Sequence, residues 1–164
     1  MKGERNTQVY QVGPCLFGTS STIPHWKTEE LIPSLKPFLL SLDTYKEKEL
    51  KIAFSLAIQP ESETQEEDHA KYRSLIEFEW ESATCRISVI PDTDSYLITI
   101  LAPNDPKEYT AYFFYGFTKG ILFLHATEAD AFVLNNILMM IYAFNTACSD
   151  TVLMHASVIK KDGK

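Results

Sequence analysis

The sequence predicts an α+β fold with a mainly antiparallel sheet of about six or seven strands, one long helix in the C-terminal half, and a final strand. Three observations predict this fold. Turn signals recur about every eight to twelve residues between positions 50 and 125, which is typical of antiparallel strands. Apolar residues follow Thr127 at helical spacing, and an alternating β-type run, residues 151–159, comes after them. The chain of 164 residues is 45% hydrophobic, so it can bury a core.

The individual strands are predicted from alternating apolar and polar residues. Residues 8–17 are predicted as one strand that Gly13 and Pro14 interrupt, which indicates a bulge or an edge position. Residues 18–22 are predicted as a loop, and because they contain one glycine and no GKS or GKT, we do not expect them to bind phosphate. The other strands are predicted at residues 50–58, 75–80, 82–90, 96–101, 109–114 and 121–125.

The strand at residues 75–80 alternates regularly between apolar and acidic side chains. Ile76, Phe78 and Trp80 are expected to face inward, while the acidic residues between them face the solvent. Such a strand is half-buried, with one face on the core.

The strand at residues 109–114 belongs to the richest aromatic cluster of the chain. Both of its faces are apolar, so it is either central in the sheet or lies at an interface. We take Tyr112, Phe114 and Phe117 as candidate interface residues, where a partner protein or a second copy would dock.

The long helix is predicted to begin after Thr127, a suitable N-cap, with Glu128 and Asp130 in its first turn. Few polar residues interrupt the apolar run that follows, so we expect the helix to be buried on most of its circumference. The chain therefore divides into a β-rich N-terminal domain, residues 1–126, and a part that leads toward a further core, residues 127–164.

A turn signal, Asp162-Gly163, follows the final strand. Residues 153–164, with the sequence LMHASVIKKDGK, resemble the segment just before the phosphate-binding loop in bacterial proteins of the HPr serine kinase and phosphoenolpyruvate carboxykinase-like superfamily. In that family a short hairpin leads into the Walker A loop, which holds the nucleotide phosphates. The resemblance implies that this chain is the non-catalytic N-terminal portion of a kinase-like protein, with a structural, regulatory or oligomerisation role. It implies ATP and magnesium only for a longer protein, because this sequence stops before the loop.

The resemblance also suggests which residues would support the missing nucleotide site: His155, Lys161 and Gly163. The residues alone leave simpler interpretations open. For His155 a hydrogen-bonded core histidine is the favoured interpretation, and Lys161 is better explained by an ordinary solvated turn. We assign no catalytic, cofactor-binding or metal-binding residue to the chain itself, and we expect no kinase activity from it.

Other candidate chemistry in the sequence is weak. His155 and Ser157 share one face of a predicted strand, but neither an orienting acid nor oxyanion donors accompany them, which disfavours a hydrolase. The acidic stretch at residues 61–68 lacks the ordered spacing of a calcium loop, so a solvated loop is the better interpretation. For His125 we expect a local hydrogen-bonding role.

Charge and cysteine content narrow the partners and the compartment. A net charge of −7 and a pI near 5.1 disfavour nucleic acid, and no apolar run is long enough for a membrane span. Cys15, Cys85 and Cys148 are widely spaced, which is typical of reduced thiols and predicts a cytoplasmic protein. An open strand edge would favour a homo-oligomer or strand exchange. The alternative to the kinase-like fragment is a self-standing protein-binding module that uses the aromatic strand or an open sheet edge.

Overall fold

The computed structural model describes residues 6–41, 51–63, 71–80 and 82–147. Its strands are β1 (Asn6–Val12), β2 (Cys15–Ser21), β3 (Phe54–Pro60), β4 (Arg73–Trp80), β5 (Ala83–Val89), β6 (Tyr96–Leu101), β7 (Glu108–Phe114) and β8 (Lys119–Leu124). The helices are α1 (Thr28–Leu31) and α2 (Asp130–Thr146), with 3₁₀ helices at Pro33–Phe38 and Glu61–Glu63. The predicted final strand, with His155, Lys161 and Gly163, lies outside the described residues.

The described strands form one eight-stranded sheet in the order β1-β2-β3-β8-β7-β6-β5-β4. β3 pairs in parallel with β2 and with β8, and the other neighbours are antiparallel. The predicted α+β fold, with a mainly antiparallel sheet and one long helix, is confirmed. The sheet has eight strands in place of six or seven, because residues 8–21 supply two.

The main core lies between one face of the sheet and α2. The helix buries one face there through Asp130, Val133, Leu134, Ile137, Leu138, Ile141, Tyr142 and Thr146. Ile32, which follows α1, joins the same core, so α1 and the adjoining 3₁₀ helix cover the β1–β3 side of this face. On the opposite face Leu97, Tyr112 and Phe123 form a smaller cluster, against which Tyr72 packs.

The first strand of the prediction is in fact a hairpin. Gly13, with φ of +55°, and Pro14 form a tight turn, and Val12 then pairs with Cys15. The prediction of a single strand with a bulge was wrong because a bulge and a two-residue turn share the same glycine and proline signal.

Residues 18–21 belong to β2, so the predicted loop at residues 18–22 was wrong for all but its last residue. Their small polar side chains are satisfied within the fold. The Thr19 and Thr28 hydroxyls lie 2.8 Å apart, and the Ser21 hydroxyl donates to the Ile58 carbonyl at 3.1 Å. A buried strand therefore tolerates residues that usually indicate a loop.

The long helix begins two residues later than predicted. Its N-cap is Ala129, without a side-chain capping bond, so the prediction of Thr127 as the cap was wrong. The fully buried residues follow one face, and the other helix residues are half-buried except Phe144, which is 44% exposed, so most of the circumference is at least partly covered as predicted. Within the described ranges, no helix combines the length and the apolarity needed to cross a bilayer.

We predict that Gly120→Ala destabilises the protein by about 1–3 kcal/mol. An added Cβ would lie 2.2 Å from the ring of Phe113, which is fully buried and cannot move aside freely. The matched control is Gly18→Ala, where the nearest atom would lie at an ordinary 3.8 Å. Chemical denaturation of both variants tests this, and equal unfolding free energies would contradict it.

Candidate functional site

The candidate interface residues do not form one surface. β7 is central in the sheet, between β6 and β8. Tyr112 is buried in the smaller cluster, and Phe114 packs beside it. Phe117 lies on the α2 side, stacked between Tyr96 at 4.3 Å and Phe144 at 4.6 Å between ring centroids. The aromatic residues thus contribute to packing on both faces, and their role as an interface remains a prediction.

The largest exposed apolar side chains of the sheet lie on β4. Leu75 and Ile76 are each 52% exposed, and Phe78 is 37% exposed. Ile76 and Phe78 lie opposite Ile87 and Cys85, two core residues of β5, so they share the face that α2 covers elsewhere. Ile76 and Phe78 therefore face the core side of the sheet, as predicted. The prediction that they are buried was wrong, because α2 does not extend over this part of β4.

Only Trp80, at the end of β4, packs against α2. Its ring stacks on Phe132 of the helix at 5.9 Å and on Phe78 at 5.5 Å between centroids. On the other face of the strand Glu77 pairs with Arg86, whose Nη2 lies 2.6 Å from Glu77 Oε2. β4 therefore presents an apolar face and a charged face.

Within the described part of the chain, the backbone of β4 is open on its outer side. β4 pairs with β5 on one side, and no other strand among the described residues pairs with it. The opposite edge of the sheet differs, because the Leu40 amide donates to the Val9 carbonyl at 2.9 Å and Leu39 bridges to Tyr10. The register shifts between Ser74 and Ile76, so the regular part of the open edge is Ile76 to Trp80.

Sequence reasoning missed this edge for a simple reason. The alternation of residues 75–80 shows which side chains share a face, but strand order decides whether anything covers that face. The available signal is the density of charge on the opposite face, which is common on edge strands.

A polar cluster forms around Tyr109, at the end of the sheet where α2 begins. The Tyr109 hydroxyl lies 2.6 Å from Thr127 Oγ1, 3.0 Å from Asp130 Oδ1 and 3.1 Å from Asp105 Oδ2. Burial, reinforced by the two carboxylates, raises the pKa of Tyr109 far above its usual value. The pKa of Asp105 is lowered, chiefly because the Lys107 amide donates to its carboxylate at 3.0 Å.

The same cluster sets the start of α2. Asp130 accepts hydrogen bonds from the amides of Ala126 at 3.1 Å and His125 at 3.3 Å. Thr127 Oγ1 accepts the Ala129 amide at 3.2 Å. These bonds satisfy backbone amides that precede the first turn of the helix. Asp130 and Thr127 therefore stabilise the turn before α2, and neither is the N-cap residue.

His125 connects the end of β8 to the chain that follows β3. Its Nδ1 lies 2.8 Å from Glu61 Oε2, and its Nε2 lies 3.2 Å from the Glu108 carbonyl. Lys107 Nζ lies 3.1 Å from the same Glu61 oxygen. The hydrogen bond from His125, followed by that from Lys107, lowers the pKa of Glu61. The geometry agrees with the expected local role for His125.

An open cavity of about 370 Å³ adjoins this cluster. It is lined by Pro103, Asn104, Asp105, Thr127, Glu128, Ala129 and Phe132. Asp105 and Thr127 already hydrogen-bond within the protein, and no group of three metal-ligating side chains occurs in the described part of the chain. The cluster is therefore best explained as structural, and β4 is the candidate functional site.

We predict that Tyr109→Phe lowers the free energy of unfolding by about 1–3 kcal/mol, because it removes the hydroxyl shared by three buried or half-buried partners. Tyr115→Phe is the matched control, since that ring is 70% exposed. Urea denaturation at neutral pH measures both effects. Indistinguishable midpoints for the two variants would show that the cluster does not hold the helix start.

The chain matches no protein-family model, no curated protein and no solved structure. The residues that resemble the HPr serine kinase superfamily, 153–164, lie outside the described ranges. The kinase-like interpretation therefore remains a prediction.

Proposed function

We propose that this chain is a protein-interaction domain that accepts a β-strand on the open edge of β4. The observation that supports this is the coincidence, on one strand, of an open backbone edge and exposed apolar side chains. In strand addition the backbone groups of the edge supply affinity, and alternate side chains supply specificity.

The side chains of β4 suit such a partner. Ile76 and Phe78 continue the apolar face of the core, so an added strand would bury its own apolar face beside them. Glu77 and Glu79 lie on the other face and favour a partner with charged or polar residues there. We expect a partner strand that alternates between apolar and charged residues.

The aromatic strand offers less contact area for docking. Tyr112 is only 5% exposed, and Phe117 is held by stacking on two rings. A partner that used these residues would first have to displace packing that the sheet already contains. For this reason we place the interaction at β4.

We predict that random peptides selected for binding to the full chain alternate between apolar and polar residues. Their amide shift changes in the protein should be centred on β4. Phe78→Lys should weaken binding by at least about tenfold, because it removes apolar contact area and adds charge.

The matched control for that experiment is Phe38→Lys. Phe38 is 41% exposed, close to the value for Phe78, but it lies on the 3₁₀ helix Pro33–Phe38. Equal losses of affinity in the two variants, or shift changes centred on Tyr112, would contradict strand addition at β4.

A second candidate function is that of a non-catalytic N-terminal portion of an HPr serine kinase-like protein. The pattern of residues 153–164 favours it. In this proposal ATP, magnesium and phosphoryl transfer belong to a longer protein, and the domain has a structural, regulatory or oligomerisation role. Open-edge docking suits that role, since it would join the domain to another domain or another copy.

The kinase-like proposal predicts that the chain, given ATP and magnesium, releases no phosphate above the buffer background. Nucleotide hydrolysis here needs the phosphate-binding loop, and this sequence contains no Walker A pattern. Phosphate release that co-purifies with the chain through successive purification steps would contradict it.

A further inference from the structure

We infer that the strand accepted by β4 is basic: it alternates lysine or arginine with apolar residues, and its cations lie opposite Glu77 and Glu79. The inference rests on the proposed function, because both concern the same edge. It goes further by giving the sign of the charge that the partner carries. It also disfavours a second copy of this chain as the partner.

The regular part of β4 separates apolar from acidic side chains. Ile76 and Phe78 face the core side of the sheet, so Glu77 and Glu79, which alternate with them, face the other side. Both glutamates are exposed. Opposed residues on neighbouring strands share a face, so an added strand has to continue this separation. It therefore needs apolar side chains opposite the first pair and a different kind of side chain opposite the glutamates.

The two glutamates differ in what lies beside them. Glu77 lies opposite Arg86 of β5, whose Nη2 is 2.6 Å from Glu77 Oε2. Glu79 lies opposite Thr84, which carries no charge, and no residue in the described ranges forms an ion pair with the Glu79 carboxylate. A cation on the outer side would supply that ion pair. A second cation opposite Glu77 would extend the row that begins at Arg86, with charges of alternating sign.

Arg73 does not offset this acidic face. It lies opposite Val89, before the register shift between Ser74 and Ile76. Val89 shares the core face with Ile87, two positions away on β5, so Arg73 starts from the opposite face of the sheet to the glutamates. The net charge of −7 also favours a basic partner at long range.

A second copy of this chain fits the edge poorly. Two β4 strands that paired antiparallel about a two-fold axis at Glu77, Phe78 or Glu79 would place a glutamate of one copy opposite a glutamate of the other. Like charges directly opposite each other destabilise a strand pair. The same geometry disfavours any partner strand with acidic residues at these positions.

Three synthetic peptides with the same apolar residues test the inference on the full chain: KVKIKVK, QVQIQVQ and EVEIEVE. Amide shift changes measured by NMR give the affinity of each peptide and the residues that it contacts. We expect KVKIKVK to bind at least about tenfold more tightly than EVEIEVE, with QVQIQVQ between them, because opposed ion pairs stabilise and opposed like charges destabilise. The shift changes should be centred on β4, and the difference in affinity should shrink as salt is raised.

The variant that tests the site is Glu79→Lys, which should abolish the preference for KVKIKVK over EVEIEVE. The matched control is Glu30→Lys, which changes the net charge equally. Glu30 lies on α1, at the other side of the sheet, and its side chain is 64% exposed. The control should retain the preference, because its charge lies far from β4.

Three results would overturn the inference. The first is equal affinity for all three peptides with shift changes on β4, which would leave the proposed strand addition intact. The second is a preference for KVKIKVK that both variants weaken equally, because net charge alone would then explain binding. The third is a dimeric mass with β4 amides whose protection from exchange rises with concentration, because a second copy would then occupy the edge. The proposed function fails separately if peptides of every charge, including those selected from random libraries, leave the β4 shifts unchanged.

Discussion

The structure depends on how much of one face of an eight-stranded sheet can be covered by one long helix and two short ones. With 17 residues, α2 is about 25 Å long and about 10 Å wide with its side chains. Strands spaced about 4.8 Å apart make the sheet about 34 Å wide between its outer strands. α1 and the 3₁₀ helix Pro33–Phe38 cover the β1–β3 side, and α2 covers the centre. The exposure of Ile76 and Phe78 follows, because no further helix among the described residues covers β4.

Much of the sheet was predictable because its local signals agree with its tertiary environment. Tyr96–Leu101 was predicted with its observed bounds, and β5, β7 and β8 within one or two residues. Their turns carry the usual Asp, Asn, Pro and Gly signals. The β1–β2 hairpin and the polar part of β2 were not predictable in the same way. Thr19 and Ser21 are residue types that indicate a loop. Only the structure shows the hydrogen bonds to Thr28 and Ile58 that allow them to lie in a buried strand.

The candidate site was less accessible to sequence reasoning. An alternating pattern specifies which side chains of β4 share a face, and strand order determines that the face is left uncovered. The start of α2 shows the same limit. Thr127 has the right chemistry for a cap, but Tyr109 and Asp105, which are distant in sequence, engage its hydroxyl and draw it into a different network. The hydrogen-bonding role of His125 could be predicted from the sequence, because its partner Glu108 lies opposite it across the β7–β8 pair.

The parallel placement of β3 has a consequence for the order in which the fold assembles. β4 to β8 form a meander in which each strand pairs with the next along the chain, so their contacts close short loops. β3 pairs with β8 through contacts such as Leu56 with Gly120, which lie 64 positions apart in the chain and close a much longer loop than those of the meander. Loop-closure entropy makes such pairings late and slow in folding. We therefore expect the meander to form first and the β1–β3 unit to join it later.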